Sequence, residues 1–276
     1  MNQGEKAAAL RELHHRSEPL VFVNAWDAAS ARIVESLGFP AVATSSGGIA
    51  FSAGFPDGER ITRETMLERV AAIAGSVSLP VTADLEGGYG SEIDDAIATA
   101  RGAIEAGAVG LNFEDASHDP GRPLIDVATA SERIKAIRRT ADAIGVPLVI
   151  NARTDVYHEE AGTAQSRFRE ATERAEAYAA AGADSIFVPF VTDAETIGKL
   201  AAAIELPLNI LAGAKTPDVA TLARLGVKRI STGSSPAAYA LAMFRAAALE
   251  VRDRGTFGFA AQRIAPAELN ALFAGR

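Results

Sequence analysis

Eight short apolar runs recur along the chain, starting near Leu20, Ala41, Pro80, Val109, Pro147, Ser185, Pro207 and Lys228, and a longer helical pattern follows each of them. Strands that alternate with helices pair in parallel through right-handed crossovers, and eight such units predict closure into a (β/α)8 TIM barrel. Gly38, Gly107, Gly145, Gly182 and Gly226 each stand just before a run, where a helix is expected to end. An open doubly wound sheet is the competing fold, but it would not need eight units and the chain carries no dinucleotide-binding glycine signature. With 276 residues, 48% hydrophobic and 22% charged, and no stretch that reads as a linker, residues 1-276 are expected to form one domain.

Within that frame, residues 1-17 read as an amphipathic helix that plugs the barrel bottom, with His14 and His15 solvated. Ile93, Ile97, Ala100 and Ile104 predict the buried stripe of a helix over 93-104. Ser91 with Asp94, and Thr192 with Glu195, read as helix starts. Residues 236-251 carry Leu241, Met243, Phe244 and Leu249, and Phe257 and Phe259 follow. These side chains lie beyond the eighth unit, so a partner subunit is the natural cover for them.

Composition narrows the function. Without cysteine there is no disulfide, thiolate metal site or cysteine nucleophile. A net charge of -8 argues against nucleic acid as the main partner. No apolar segment is long enough for a transmembrane span or a secretory signal, so no membrane partner and a cytoplasmic location are expected. An anionic substrate would have to be held by local arginine or by metal.

Barrel chemistry sits where strands end at the C-terminal face, and the charged residues here occur at those ends. The third run leads into Asp84-Leu85-Glu86-Gly87-Gly88-Tyr89-Gly90. If the strand persists, Asp84 and Glu86 point to one face and repel unless a cation or proton lies between them, and hard oxygen ligands favour Mg2+ or Mn2+. A polar turn into a helix is the alternative. Thr44-Ser45-Ser46-Gly47-Gly48 offers hydroxyls and backbone N–H groups to a carboxylate, or is only a tight turn. Asp57 adds a third carboxylate, the fourth run delivers Glu114 and Asp115, and the fifth delivers Arg153 and Asp155. Asn209 on the seventh run can bond a ligand oxygen or satisfy a loop.

In this order, Thr44-Ser45-Ser46-Gly47-Gly48, Asp57, Asp84-Leu85-Glu86-Gly87-Gly88-Tyr89-Gly90, Asn112-Phe113-Glu114-Asp115 and Asn151-Ala152-Arg153-Thr154-Asp155 resemble the isocitrate lyase/phosphoenolpyruvate mutase superfamily, in its short branch. The resemblance implies a barrel whose eighth helix, here within 234-276, is exchanged between subunits of a homodimer or homotetramer. It also implies Asp84 as the direct Mg2+ ligand, with Glu86 and Glu114 holding the metal's waters and Asp57 supporting them. The metal would chelate a small-molecule 2-oxo acid or dicarboxylate. Ser45, Ser46 and Gly47 would hold its carboxylate or enolate oxygen and Arg153 would pair with the developing charge. Trp26 either walls the pocket or belongs to the core.

The chain departs from that pattern after the fourth run. The superfamily's lyases place a cysteine and lysines there, whereas this chain has Ala116-Ser117-His118-Asp119-Pro120-Gly121-Arg122-Pro123. Pro189 stands where methylisocitrate lyases place a glutamate. The expected activity is a Mg2+-dependent carbon-carbon lyase acting on a small 2-oxo or 2-hydroxy dicarboxylate through an enolate, as oxaloacetate decarboxylase or a methylisocitrate lyase-like enzyme, with His118 as the candidate proton source. Carbon-phosphorus chemistry on phosphonopyruvate, or 2-oxo acid binding without catalysis, are the alternatives.

Overall fold

The structure, a computed structural model, describes residues 1–117, 123–158 and 163–274. Eight parallel strands form the barrel wall: β1 Leu20–Phe22, β2 Val42–Ala43, β3 Val81–Asp84, β4 Gly110–Glu114, β5 Val149–Arg153, β6 Ser185–Val188, β7 Leu208–Leu211 and β8 Arg229–Ser231. Their order is β1-β8-β7-β6-β5-β4-β3-β2. The ring closes at the β1–β2 seam through the bridge between Ala25 and Thr44, where Ala25 N–H donates to Ala43 at 2.8 Å. The (β/α)8 TIM barrel expected from the sequence is therefore the observed fold. Strands buried on both faces read as continuous apolar runs, which is why all eight were visible.

The helices in chain order are α1 Gln3–Leu13, α2 Ala28–Ser36, α3 Ser46–Ser52, α4 Arg63–Ala74, α5 Ile93–Glu105, α6 Val127–Ile144, α7 Ala164–Ala180, α8 Ala194–Ala203, α9 Val219–Arg224, α10 Ser235–Arg254 and α11 Pro266–Phe273. The five glycines expected at helix ends all have left-handed backbone, with φ between 80° and 103°. Two helix starts differ from expectation. α5 is capped by Glu92 with Asp95, not by Ser91 with Asp94, and α8 by Asp193, whose side chain accepts from Thr196 N–H, not by Thr192. The buried stripe of α5 is Ala96, Thr99, Ala100, Ala103 and Ile104, which leaves Ile93 exposed.

α1 does plug the barrel bottom, burying Ala7, Leu10 and Leu13, while Arg11 pairs with Asp184 at 2.9 Å. His14 is not solvated. It is 2% exposed, its Nδ1 lies 2.8 Å from the Leu10 carbonyl and its Nε2 3.2 Å from Nη1 of Arg229. Burial and then the Arg229 charge push its pKa down to about 3, so the ring is neutral, with Nδ1–H donating and Nε2 accepting. Arg229 is itself buried over the Phe22 ring and donates to Asn112 Oδ1 at 3.3 Å. Asn151 donates to the same oxygen at 2.8 Å, and Ser185 to Asn151 Oδ1 at 2.6 Å. A hydrogen-bonded polar floor thus lies beneath the C-terminal mouth.

α10 behaves differently from the other long helices. Only Ala237 of it is buried, while Tyr239 and Phe244 are 67% and 74% exposed. It touches chiefly α3 and the short 3-10 turn Gly258–Gln262, and α11 then folds back on α2, where Arg32 donates to the Leu272 carbonyl at 2.6 Å. No helix among the described residues is long and apolar enough to cross a membrane.

Candidate active site

β3 carries Asp84 to the mouth, where the carboxylate is held from two sides. Its Oδ2 accepts from Ser46 N–H at 3.1 Å and Ser46 Oγ at 2.9 Å, and its Oδ1 accepts from Asn112 Nδ2 at 3.1 Å. Asn112 can do this because it is the β4 partner of Asp84 in the parallel register. Ser45 caps α3, its hydroxyl accepting from Gly48 N–H at 3.1 Å. Gly47 lets the Asp57 carboxylate approach the turn closely: a Cβ there would lie 2.7 Å from Asp57 Oδ2. The turn after β2 therefore both caps a helix and clamps the carboxylates.

Glu86 does not reach the site by strand alternation. The strand ends at Asp84 and the backbone turns at Glu86, whose φ of 51° is left-handed. Its buried carboxylate accepts from Glu59 N–H at 2.6 Å and from Tyr89 OH at 3.4 Å. Burial, then the charges of Asp84 and Asp57, push its pKa up to about 8. Asp57 is raised by burial and by Asp84, and Glu114, whose side chain is 12% exposed, is raised by burial against the pull of Arg153. Arg153 forms an ion pair with Glu114 at 2.7 Å and donates to Asp155 at 2.8 Å, and its guanidinium lies 5.7 Å from the Phe187 ring centre. Burial opposes the Arg153 cation, but Glu114, Asp155 and Asp84 outweigh it and raise its pKa.

Glu86 gives a pH dependence with a definite sign. Its folded pKa lies above its ordinary value of 4.5, so the stability it contributes is complete below that value and is lost as pH rises through about 8. In metal-free buffer, Glu86→Gln should flatten the fall in melting temperature over that interval. An unchanged slope would show that other groups carry it.

These groups line a cleft of about 100 Å³. Ser45, Ser46, Gly47, Asp57, Asp84, Asn112 and Arg153 form one side, and Phe187, Pro189, Phe190 and Leu211 form another. Asn24, Ser231, Gly233 and Ser234 complete the rim. Glu86 and Glu114 stand behind the acidic side. Trp26 lies in contact with α3, its Cβ 3.0 Å from where a Gly48 side chain would begin, and is not among the lining residues. Asn209 is likewise below the cleft, fully buried, with Nδ2 3.4 Å from Ser231 Oγ. His118 lies outside the described residues. Asp115 faces away from the cleft, accepting from Tyr178 OH at 2.6 Å and Arg174 at 3.0 Å in a buried cluster that anchors α7. The signal that could have singled out Asn112 was register, and the small-residue turn after β8 marked Ser234 as a helix start; nothing in the sequence marked Phe190.

Comparison with known proteins agrees with this fold. The sequence model of phosphoenolpyruvate phosphomutase matches residues 10–252. The chain belongs to that family. It is 33% identical over 216 residues to 2-methylisocitrate lyase of Escherichia coli (strain K12), covering 76% of this chain and 71% of that one. It is 32% identical over 235 residues to oxaloacetate decarboxylase of Rhodopseudomonas palustris (strain BisB18), covering 83% and 78%. The crystal structure of 2,3-dimethylmalate lyase superposes with a TM-score of 0.85 at 27% identity, over 98% of this chain and 94% of that one. The protein is thus an enzyme of a phosphomutase and carbon-carbon lyase family, with its acidic cleft at the barrel mouth.

Proposed function

We propose that the protein is a Mg2+-dependent carbon-carbon lyase acting on a small 2-oxo or 2-hydroxy dicarboxylate through an enolate, with oxaloacetate decarboxylation as the leading reaction. The observation that carries this reading is the convergence of Asp84, Asp57, Ser46, Gly47 and Arg153 on one cleft. The donor set fits a hard divalent cation. Burial and mutual repulsion raise Asp57, and raise Glu86 to about 8, which marks negative charge in want of a counterion. Among the described residues no three His, Asp or Glu side chains converge to hold an ion by themselves. Asp84 would therefore be the direct ligand, with Glu86, Glu114 and Asp57 reaching the ion through water, as Mg2+ commonly requires.

When bound, the ion would supply positive charge at the 2-oxygen, where the enolate develops. The Ser46 and Gly47 turn orients the substrate carboxylate beside Asp84. In oxaloacetate the C3–C4 bond breaks, its electron pair passes into the C2–C3 enolate and CO2 leaves; a proton taken up at C3 then gives pyruvate. Arg153 faces the developing charge, and Glu114 and Asp155 fix its guanidinium plane. His118 is the candidate proton source. The relatives named 2-methylisocitrate lyase and oxaloacetate decarboxylase perform lyase chemistry without sharing one substrate, so the choice rests on assay. Steady-state turnover with Mg2+ across oxaloacetate, methylisocitrate, dimethylmalate and phosphonopyruvate tests it. Turnover of phosphonopyruvate alone, or tight binding of pyruvate with no turnover of any, contradicts the lyase reading.

The same reading includes a homodimer or homotetramer built by exchange of α10. Phe244, Tyr239, Phe257 and Leu241 are all exposed on the segment, and burying each such side chain is worth roughly 1.5–3 kcal/mol. Light scattering after size-exclusion chromatography should give a dimer or tetramer, and deletion from Pro236 onward should give aggregates. A monodisperse active monomer at micromolar concentration contradicts the exchange.

A further inference from the structure

The cleft has a wall that the acid-binding groups do not explain. In the eight-stranded ring β3 and β7 stand diametrically opposite, so a ligand fixed by its acid end at Asp84 and Ser46 extends toward β6 and β7. What it meets there is apolar: Phe187, Pro189, Phe190 and Leu211. Arg153 is the one cation among the described lining residues, and Glu114 and Asp155 already hold it. A C3 substituent that points to the β6–β7 side therefore meets ring carbons and no counter-charge, which suits an alkyl group, while the second carboxylate of a dicarboxylate points elsewhere.

Phe190 is the distinctive member of this wall. Its φ is 66°, a left-handed backbone that is costly for an aromatic residue, and the residue is 46% exposed at the mouth. His158, from the segment after β5, stacks on it with ring centres 4.4 Å apart and planes inclined by 26°. A strained backbone that presents an exposed aromatic ring into a cleft, and a second ring that holds it there, are two independent features of one arrangement.

We infer that Phe190, positioned by His158, is the specificity-determining wall of the cleft and receives an alkyl substituent at C3 of a 2-oxo or 2-hydroxy acid. This rests on the reading of the cleft as a 2-oxo acid site and names which members of that class it favours. Each methyl laid against the ring leaves water, so affinity should rise about fourfold per added methyl, the transfer free energy of one buried methylene. Glycine accepts the left-handed backbone, so Phe190→Gly removes the ring without disturbing the turn, whereas Phe190→Leu keeps an apolar surface.

The test is calorimetric titration of the full-length protein with pyruvate, 2-oxobutyrate and 3-methyl-2-oxobutanoate in the presence of Mg2+. In the wild type, affinity should climb through the series, to about 16-fold over two methyls at the same per-methyl transfer free energy. The climb should flatten in Phe190→Gly and return in Phe190→Leu. Equal affinities across the wild-type series, or a climb that persists in Phe190→Gly, would overturn the wall while leaving the 2-oxo acid site standing. Failure of all three acids to bind would overturn both.

Discussion

Asp84→Ala should abolish Mg2+-dependent binding of a 2-oxo acid while leaving the barrel folded. The residue sits at the end of β3, at the barrel mouth, where its carboxylate accepts from Ser46 and Asn112. Loss of an outer partner of a metal site costs about 10–100-fold, so loss of the direct ligand should exceed about 100-fold. The fold should not suffer in proportion, because Asp84 is also a repulsive neighbour of Glu86 and Asp57. Without metal, the variant should melt no lower than the wild type, and Glu86 should release its proton at lower pH. Calorimetry with pyruvate and Mg2+, paired with thermal melts, checks both halves. Unchanged affinity would remove Asp84 from the metal assignment, and a collapsed melt would make it structural.

The second large effect is expected from Arg153→Lys, which keeps the charge and loses the shape. Arg153 uses Nη1 on Glu114 and Nε on Asp155, so its plane is fixed before any ligand arrives. An ammonium cannot satisfy both carboxylates in that geometry and also face the cleft. Turnover should fall about 100-fold, the scale seen when one preorganised donor to a developing oxyanion is removed. Affinity for oxalate, a planar dianion resembling the enolate of pyruvate, should fall as well, which gives a readout independent of the reaction. Wild-type turnover and oxalate affinity in Arg153→Lys would reduce the residue to an ion-pair partner of Glu114 and Asp155.

The barrel was legible because its evidence is local and repeated: eight apolar runs, each followed by a helical period. Asp84 and Arg153 were legible for a related reason, since a charged residue that ends an apolar strand must emerge at one face of the barrel. Strand alternation predicts Glu86 beside Asp84, yet the strand ends at Asp84, and it is the left-handed backbone at Glu86 that returns its carboxylate to the group. Side chains decided by distant partners were not legible. His14 resembled a solvated residue on a polar helix, but its partner Arg229 is 215 positions away. Trp26 and Asn209 carried plausible chemistry at strand ends, and the structure sets both outside the cleft lining. Phe190 carried no signal, because an aromatic after a strand ordinarily turns inward and this one is turned outward by its backbone.

The most direct test of the account is a crystal structure of the protein grown with Mn2+ and oxalate, with the metal located by its anomalous scattering. The account predicts one metal peak at the barrel mouth, about 2.0–2.2 Å from an Asp84 carboxylate oxygen as hard-cation coordination requires, with oxalate between it and Arg153. A metal bound elsewhere, or oxalate bound in the cleft with no metal beside Asp84, would contradict it.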